Sequence, residues 1–235
     1  VTDRLSDLLF TTEASANDNL RAEGIAAERV HFVGNVMIDT LLEHRERALE
    51  LGVAEGMGLE PGDYILVTLH RPSNVDDPDR LAALLTALGE LTAGTGHPVV
   101  LPLHPRTSER VRRLELEHLL GPLDVLPPLR YLDFLGLMAT AGLVVTDSGG
   151  IQEETTVLGV PCITVRPNTE RPVTITHGTN RLYDGDPSGL LDVARSAMLE
   201  RRDVEPPPLW DGHAAERIAD VTLAQEGAVV EAGRR

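Results

Sequence analysis

The sequence predicts an α/β fold in which helices cover both faces of a parallel sheet. Three observations carry this reading. Short apolar runs rich in Val, Ile and Leu alternate regularly with helical stretches, the pattern of βαβ units. The runs are apolar throughout rather than on alternate positions, as in strands buried on both faces. Polar groups collect directly after the runs, where ligands bind in such sheets.

The elements follow in order. Leu8–Thr12 and Val30–Val33 read as short strands, with a helix from about Glu13 to Glu23 between them and Gly24 as its stop. Ile38–Leu51 is amphipathic and ends at Gly52, and Gly56–Gly62 forms a glycine-rich turn. Tyr64–Thr68 is a buried strand leading into His70. Asp77 followed by Pro78 is a cap with proline at the first helical position, opening a helix to about Leu91. Strand Val99–Leu103 leads into His104, then come a helix near Ser108–Leu119, strand Asp124–Leu126 and helix Tyr131–Thr140. Strand Leu143–Thr146, helix Ile151–Leu158 with Gly159 as its stop, and strand Pro161–Val165 complete the sheet. Pro187–Arg201 is helical, Pro206-Pro-Pro208 marks a break, and Ala214–Ala224 is a last helix before a tail to Arg235 that is expected to fray.

Composition narrows the chemistry. The 235 residues are 42% hydrophobic but only 3% aromatic, so the core is aliphatic. A net charge of −16 argues against a nucleic-acid partner. All 21 basic residues are Arg, which excludes Schiff-base and P-loop lysine chemistry. The single cysteine, Cys162, lies in an apolar run. It allows neither an intrachain disulfide nor a cysteine zinc site, and it suits a reducing, cytoplasmic setting. No run is long and apolar enough for a membrane span, and no signal peptide is visible. The chain opens on Val1, which suggests that it begins within a longer protein.

The densest chemistry lies in Leu143-Val-Val-Thr-Asp-Ser-Gly-Gly-Ile-Gln-Glu-Glu154. Asp147 and Ser148 read as cap residues, and Gly149 and Gly150 leave backbone amides uncovered at a helix N-terminus. A diphosphate fits there. One of Glu153 and Glu154 suits the paired hydroxyls of a ribose. They are not a catalytic dyad, because neighbours on a helix diverge by about 100°. The plainer alternative is a well-capped helix with glycines for close packing. His70 with Arg71, and His104 with Arg106, sit after two other strands and suit a phosphate leaving group or plain packing. Arg166 follows a fourth strand. Phe134 is either core or a stacking platform for a base. Asp76, Asp77 and Asp79 read as a capping turn, and the histidines show no metal-ligand spacing, so no metal is expected. Walker, G-x-G-x-x-G and G-x-S-x-G motifs are absent.

Thr68-Leu-His-Arg71, Pro102-Leu-His-Pro-Arg106, Tyr131-Leu-Asp-Phe134, Thr146-Asp-Ser-Gly-Gly-Ile-Gln-Glu-Glu154 and Asn168-Thr-Glu-Arg-Pro172 stand in order, preceded by Gly34-Asn35 and Ile38-Asp39. From about Asp3 to Arg217 the chain resembles the non-hydrolysing UDP-N-acetylglucosamine 2-epimerases. That resemblance implies two Rossmann-like halves facing across a cleft, as in GT-B glycosyltransferases. Residues 1–35 would be a remnant of the first half, 36–205 the C-terminal UDP-binding domain, and 206–235 a closing helix and tail. The first half's N-terminal Arg and acidic catalytic residues are expected to lie outside this chain. Unpartnered strands in Leu8–Val33 would then invite self-association or disorder.

The resemblance implies interconversion of UDP-N-acetylglucosamine and UDP-N-acetylmannosamine by UDP elimination and re-addition, without a cofactor. It places His70 at the diphosphate as a catalytic group, with the amides of Ser148, Gly149 and Gly150 and the Arg171 side chain. Glu154 would hold the ribose, Phe134 would stack on uracil, and the backbone near Leu129 would read the base edge. Arg71 and His104 are additional candidates, and a homodimer is expected of the intact enzyme. Where the family often has Arg-Glu-Asn after the His-Arg pair, this chain has Pro72-Ser73-Asn74. That neighbourhood binds a second, activating substrate molecule in some bacterial members. The alternative function is a UDP-sugar-binding module, or half of a GT-B glycosyltransferase, without epimerase activity.

Overall fold

The computed structural model describes residues 1–200 and 205–232, with side chains through residue 225. It divides into two units, Val1–Glu43 with Pro206–Arg235, and His44–Glu205. In the first, Leu9–Thr11 (β1) pairs in parallel with Val30–Phe32 (β2), and Ala14–Ala22 (α1) makes the crossover. Thr2–Leu5 is a short helical turn not anticipated from sequence. Val36–Glu50 (α2) follows, starting two residues before its expected first residue because Asn35 Oδ1 accepts the Met37 N–H at 3.0 Å.

The second unit carries six parallel strands. They are Ile65–Thr68 (β3), Val99–Pro102 (β4), Asp124–Leu126 (β5), Leu143–Thr146 (β6), Cys162–Thr164 (β7) and Asn180–Leu182 (β8), in spatial order β5-β4-β3-β6-β7-β8. The chain builds outward from β3 to β5, then returns to β3's other side and builds outward again. Between the strands run Pro78–Thr95 (α3), Pro105–Arg113 (α4), Tyr131–Thr140 (α5) and Gly149–Leu158 (α6), and Leu190–Leu199 (α7) follows β8.

Strand pleating explains the two-sided core. Ile65, Val67, Val99, Leu101, Leu143, Val145 and Ile163 join Leu81, Leu84, Leu88 and Leu91 of α3 and Leu190 and Ala194 of α7 in one buried cluster. The alternate positions Leu66, Val100, Val144 and Cys162 are equally buried, and α6 packs on β6, β7 and β8. Burial pushes the Cys162 thiol up to about 11, which leaves it an unreactive core residue.

Several boundaries depart from expectation. The helix expected over Ser108–Leu119 is α4, three residues earlier. The His104 ring caps the Arg106 N–H and Pro105 fixes the first turn. The chain then reverses at Glu115 with φ 56° and makes only a 3₁₀ turn over Glu117–Leu120. The Gly56–Gly62 turn is preceded by a helical turn over Val53–Gly56. Strand β8 and the turn Val173–Thr176 were not anticipated. Helix α7 starts after a 3₁₀ turn, Pro187–Gly189, and Arg201 lies outside the described residues.

In the first unit the last helix, Ala214–Ala232 (α8), runs beyond Ala224. The Asp39 carboxylate accepts the N–H groups of Ala214 and Ala215, at 3.1 and 2.7 Å, and so caps α8 from a distant part of the chain. Trp210 Nε1 donates to the Thr12 carbonyl at 2.8 Å. Gly34, with φ 90°, lies where a Cβ would meet the Leu209 carbonyl oxygen at 2.0 Å. The tail expected to fray after Ala224 is instead helical as far as Ala232, and residues 233–235 lie outside the described residues.

Gly142, just before β6, is similarly constrained: a Cβ there would stand 2.1 Å from the Gly62 carbonyl oxygen. Because that obstacle is backbone, Gly142→Ala should cost more than about 3 kcal/mol of stability. Urea unfolding of the variant checks this.

Candidate functional site

The strand order makes β3 and β6 the point where the topology switches direction, and in such sheets ligands bind outside the carboxyl ends of the strands at that point. β3 runs on into Leu69, His70 and Arg71, and β6 into Asp147, Ser148 and Gly149. The sequence therefore delivers its polar groups to one place.

Asp147 is fully buried there. Its carboxylate accepts the His70 N–H at 3.0 Å, the Arg71 N–H at 2.9 Å and the Asn74 amide at 3.1 Å. Its Oδ1 also lies 3.0 Å from His70 Nδ1. The Asp147 carbonyl accepts Arg71 Nε at 2.9 Å. Burial alone would raise this carboxyl, but the His70 ring, the Arg71 amide and the Asn74 amide outweigh it and hold it below the usual range.

Asp147 is thus not the helix cap expected from sequence. Ser148 occupies the cap position of α6 without a side-chain cap bond. The Ser148 N–H, expected to face an anion, donates to Thr146 Oγ1 at 3.0 Å. The amides of Gly149 and Gly150 lie in the first turn of α6, where an α-helix offers its N–H groups no partner of its own. Apart from its chain neighbours and the adjoining helix backbone, no atom stands within 4 Å of where a Cβ on Gly149 would be.

The loop after β7 closes another side. Arg166 is buried and grips Glu170 with two bonds of 2.9 and 2.7 Å. Arg71 approaches the same carboxylate at 3.7 Å. The Arg166 bonds hold the Glu170 carboxyl at about 2. Gln152, also buried, donates to the Ser148 carbonyl and accepts from Thr169 Oγ1 at 2.6 Å and Asn180 at 3.0 Å. Thr169 Oγ1 in turn accepts the Arg171 N–H at 2.9 Å. Arg171 Nε lies 2.7 Å from Oε1 of buried Glu153, while 38% of the Arg171 side chain is exposed.

Glu154 is buried on α6, and Tyr131 Oη donates to it at 3.3 Å. Burial pushes this carboxyl up to about 7, with Glu153 adding to the effect against the Tyr131 bond. Desolvation and the nearby Glu154 charge push the Tyr131 hydroxyl to about 12. Phe134 is half-buried one turn along α5 from Tyr131, so both lie on one side of that helix. Leu129 is half-buried in the loop before α5. The His104 ring stands 5.2 Å from that of His70, and burial followed by the His70 charge keeps it below the usual imidazole range.

All the candidate residues lie in the His44–Glu205 unit. Roles for Asn74, Gln152 and Tyr131 were not foreseen, because the partners that place them at the site include residues far away in sequence. Asp76 pairs with Arg106 and Arg110, and Asp77 caps the Arg80 N–H, so these acids serve local structure. Among the described residues no cluster of acids, histidines or cysteines is arranged to hold a metal, and no helix is long and apolar enough to cross a membrane.

A parallel sheet with polar groups converging at its switch point defines a Rossmann-like α/β protein. The family model described as UDP-N-acetylglucosamine 2-epimerase matches residues 1–223, and the chain belongs to that family. It is 38% identical over 223 residues to the UDP-2,3-diacetamido-2,3-dideoxy-D-glucuronate 2-epimerase of Pseudomonas aeruginosa, covering 94% of this chain and 60% of that protein. It is 32% identical over 235 residues to a UDP-N-acetylglucosamine 2-epimerase of Methanococcus maripaludis, covering 96% and 63%. The crystal structure of the Methanocaldococcus jannaschii UDP-GlcNAc 2-epimerase, in complex with UDP-GlcNAc and UDP, superposes with a TM-score of 0.85 at 35% identity, over 95% of this chain and 62% of that one. The chain thus spans about three-fifths of the length of these relatives.

Glu154 gives a pH prediction. The folded group keeps its proton up to about 7, against 4.5 for an ordinary glutamate, so stability falls as pH rises through that window. Glu154→Gln should be more stable than the parent by roughly 2 kcal/mol near pH 8 and no different below the window. Urea unfolding at both pH values reads this.

Proposed function

We propose that this chain is the UDP-binding part of a UDP-N-acetylglucosamine 2-epimerase. The enzyme would interconvert UDP-N-acetylglucosamine and UDP-N-acetylmannosamine by eliminating UDP to a 2-acetamidoglucal, then re-adding it after C2 is reprotonated. The observation that carries the reading is the pairing of His70 with buried Asp147 beside the uncovered first turn of α6. Cleavage at C1 builds negative charge on the diphosphate. Groups fixed in advance around that charge lower the barrier most. The amides of Gly149 and Gly150 and the exposed edge of Arg171 fill that role, with His70 Nε2 donating to the leaving oxygen.

Glu154 would take the ribose hydroxyls, trading its Tyr131 bond for them. Phe134 would stack on uracil, and the backbone at Leu129 would read its edge. Ser148 contributes through its side chain, since its amide is engaged by Thr146. Arg71 and His104 shape the wall around His70.

The proton at C2 needs a carboxylate with a free face. Asp147 is saturated with donors, and Glu153 and Glu170 are held by Arg171 and Arg166. We therefore assign that step to residues outside this chain. On this reading 1–35 is a remnant of a first Rossmann-like domain, 36–205 the UDP-binding domain, and 206–235 a closing helix and tail. The intact enzyme would be a cytoplasmic homodimer.

Proton NMR of UDP-N-acetylglucosamine with this chain in D2O tests the assignment. Uridine lines should broaden and no deuterium should enter at C2. Unbroadened lines would refute UDP binding, and deuterium at C2 would put a proton-transfer group within the chain.

Two variants test the cleft by calorimetry. Arg171→Ala should weaken UDP binding by roughly 1.5–3 kcal/mol, the scale of a charged hydrogen bond. The methyl group of Gly149→Ala meets nothing beyond its own stretch of helix, so the variant's stability should hold or rise by up to about 1 kcal/mol. Its UDP affinity should nevertheless fall about tenfold or more as the methyl group fills the anion's space.

A further inference from the structure

The Asp147 side chain raises a question that packing does not answer. Backbone amides and the Asn74 amide supply three of its hydrogen bonds, and the oxygen of a neutral asparagine accepts such bonds as well. A buried charge costs several kcal/mol unless something requires it. The fourth neighbour, the His70 ring, is where a charge and a neutral amide differ. A carboxylate favours Nδ1–H and tolerates a second proton on the ring, whereas an asparagine whose oxygen is taken by the amides turns its NH2 to the ring and does neither.

The geometry fixes the direction of this effect. His70 Nδ1 lies 3.0 Å from an aspartate with no exposure, while 36% of the His70 side chain is exposed. The outward edge of the ring is therefore the one that carries Nε2. Asn74, itself buried, ties the carboxylate to the Val165 carbonyl at 3.0 Å and so fixes its plane.

We propose that Asp147 is a positioning residue: it holds His70 by Nδ1–H, so that Nε2 faces the diphosphate and carries a proton when the diphosphate is bound. This rests on the reading of the cleft as a diphosphate site. The other groups facing the ring leave room for that proton. The His104 ring is disfavoured as a cation, and Arg71 directs its Nε to the Asp147 carbonyl. Glu170 is committed to Arg166.

Nitrogen-15 spectra of the histidine rings in the full chain test the proposal, with His70 assigned by its loss in His70→Gln. The free protein should show the Nδ1–H form, and saturation with UDP should protonate both nitrogens. Asp147→Asn should lose the Nδ1–H preference and bind UDP about tenfold or more weakly while its amide spectrum stays dispersed. An Nε2–H ring in the free parent protein overturns the proposal without need of a variant. So does an Asp147→Asn protein with an unchanged ring spectrum. A parent protein that shows Nδ1–H but ignores UDP refutes the nucleotide reading and, with it, the functional half of the proposal.

Discussion

A carboxylate sealed from water organises the carboxyl edge of this sheet. Asp147 must be surrounded by donors, because an unpaired buried charge is among the most costly features a fold can contain. Its donors come from the segment after β3, and one of them, Asn74, also reaches Val165 beyond β7. Three neighbouring strands therefore end in one fixed arrangement. Arg71 is held at both ends of the same residue, by its amide to the Asp147 carboxylate and by its Nε to the Asp147 carbonyl. The positions of His70 and Arg71 follow from a group that a ligand in the cleft need never touch.

Around this anchor the cations are few and all arginine, in a chain with a net charge of −16 and no lysine. Charges farther away than a Debye length, about 8 Å in physiological salt, matter little in water. The local set decides. Arg166 is spent on Glu170, and Arg171 shares its Nε edge with Glu153. A guanidinium has five N–H donors, so Arg171 keeps an outward edge after that pairing. Each guanidinium is thus oriented before any ligand arrives, and little side-chain entropy remains to be lost on binding.

The apolar runs made the sheet legible, and β5, α5 and β6 fall where the sequence put them. Strand β8 was not legible. Asn180-Arg-Leu182 lacks an apolar run, and Asn180 bonds to Thr174 six residues back and to Thr164 and Gln152, which lie 16 and 28 residues away. Helix α4 was misplaced because His104 was weighed as a ligand rather than as a cap. The convergence of His70, Arg71 and the Ser148–Gly150 turn followed from the rule for strand ends. Asp147 did not, since an Asp before Ser-Gly-Gly satisfies every local criterion for a helix cap. Only the β3–β6 pairing, which sequence alone does not report, turns it toward His70.

That pairing has a kinetic consequence. Ile65 sits opposite Leu143 and Thr68 opposite Thr146, so the pairing closes a loop of chain that contains β4, β5 and the helices between them. Until β6 docks, β3 carries an open edge and His70 has no carboxylate beside it. Contacts of such long sequence separation form slowly and late. The crevice is therefore absent from every partly assembled state that lacks β6, and any molecule that occupies it recognises only chains whose central strand pair is already closed.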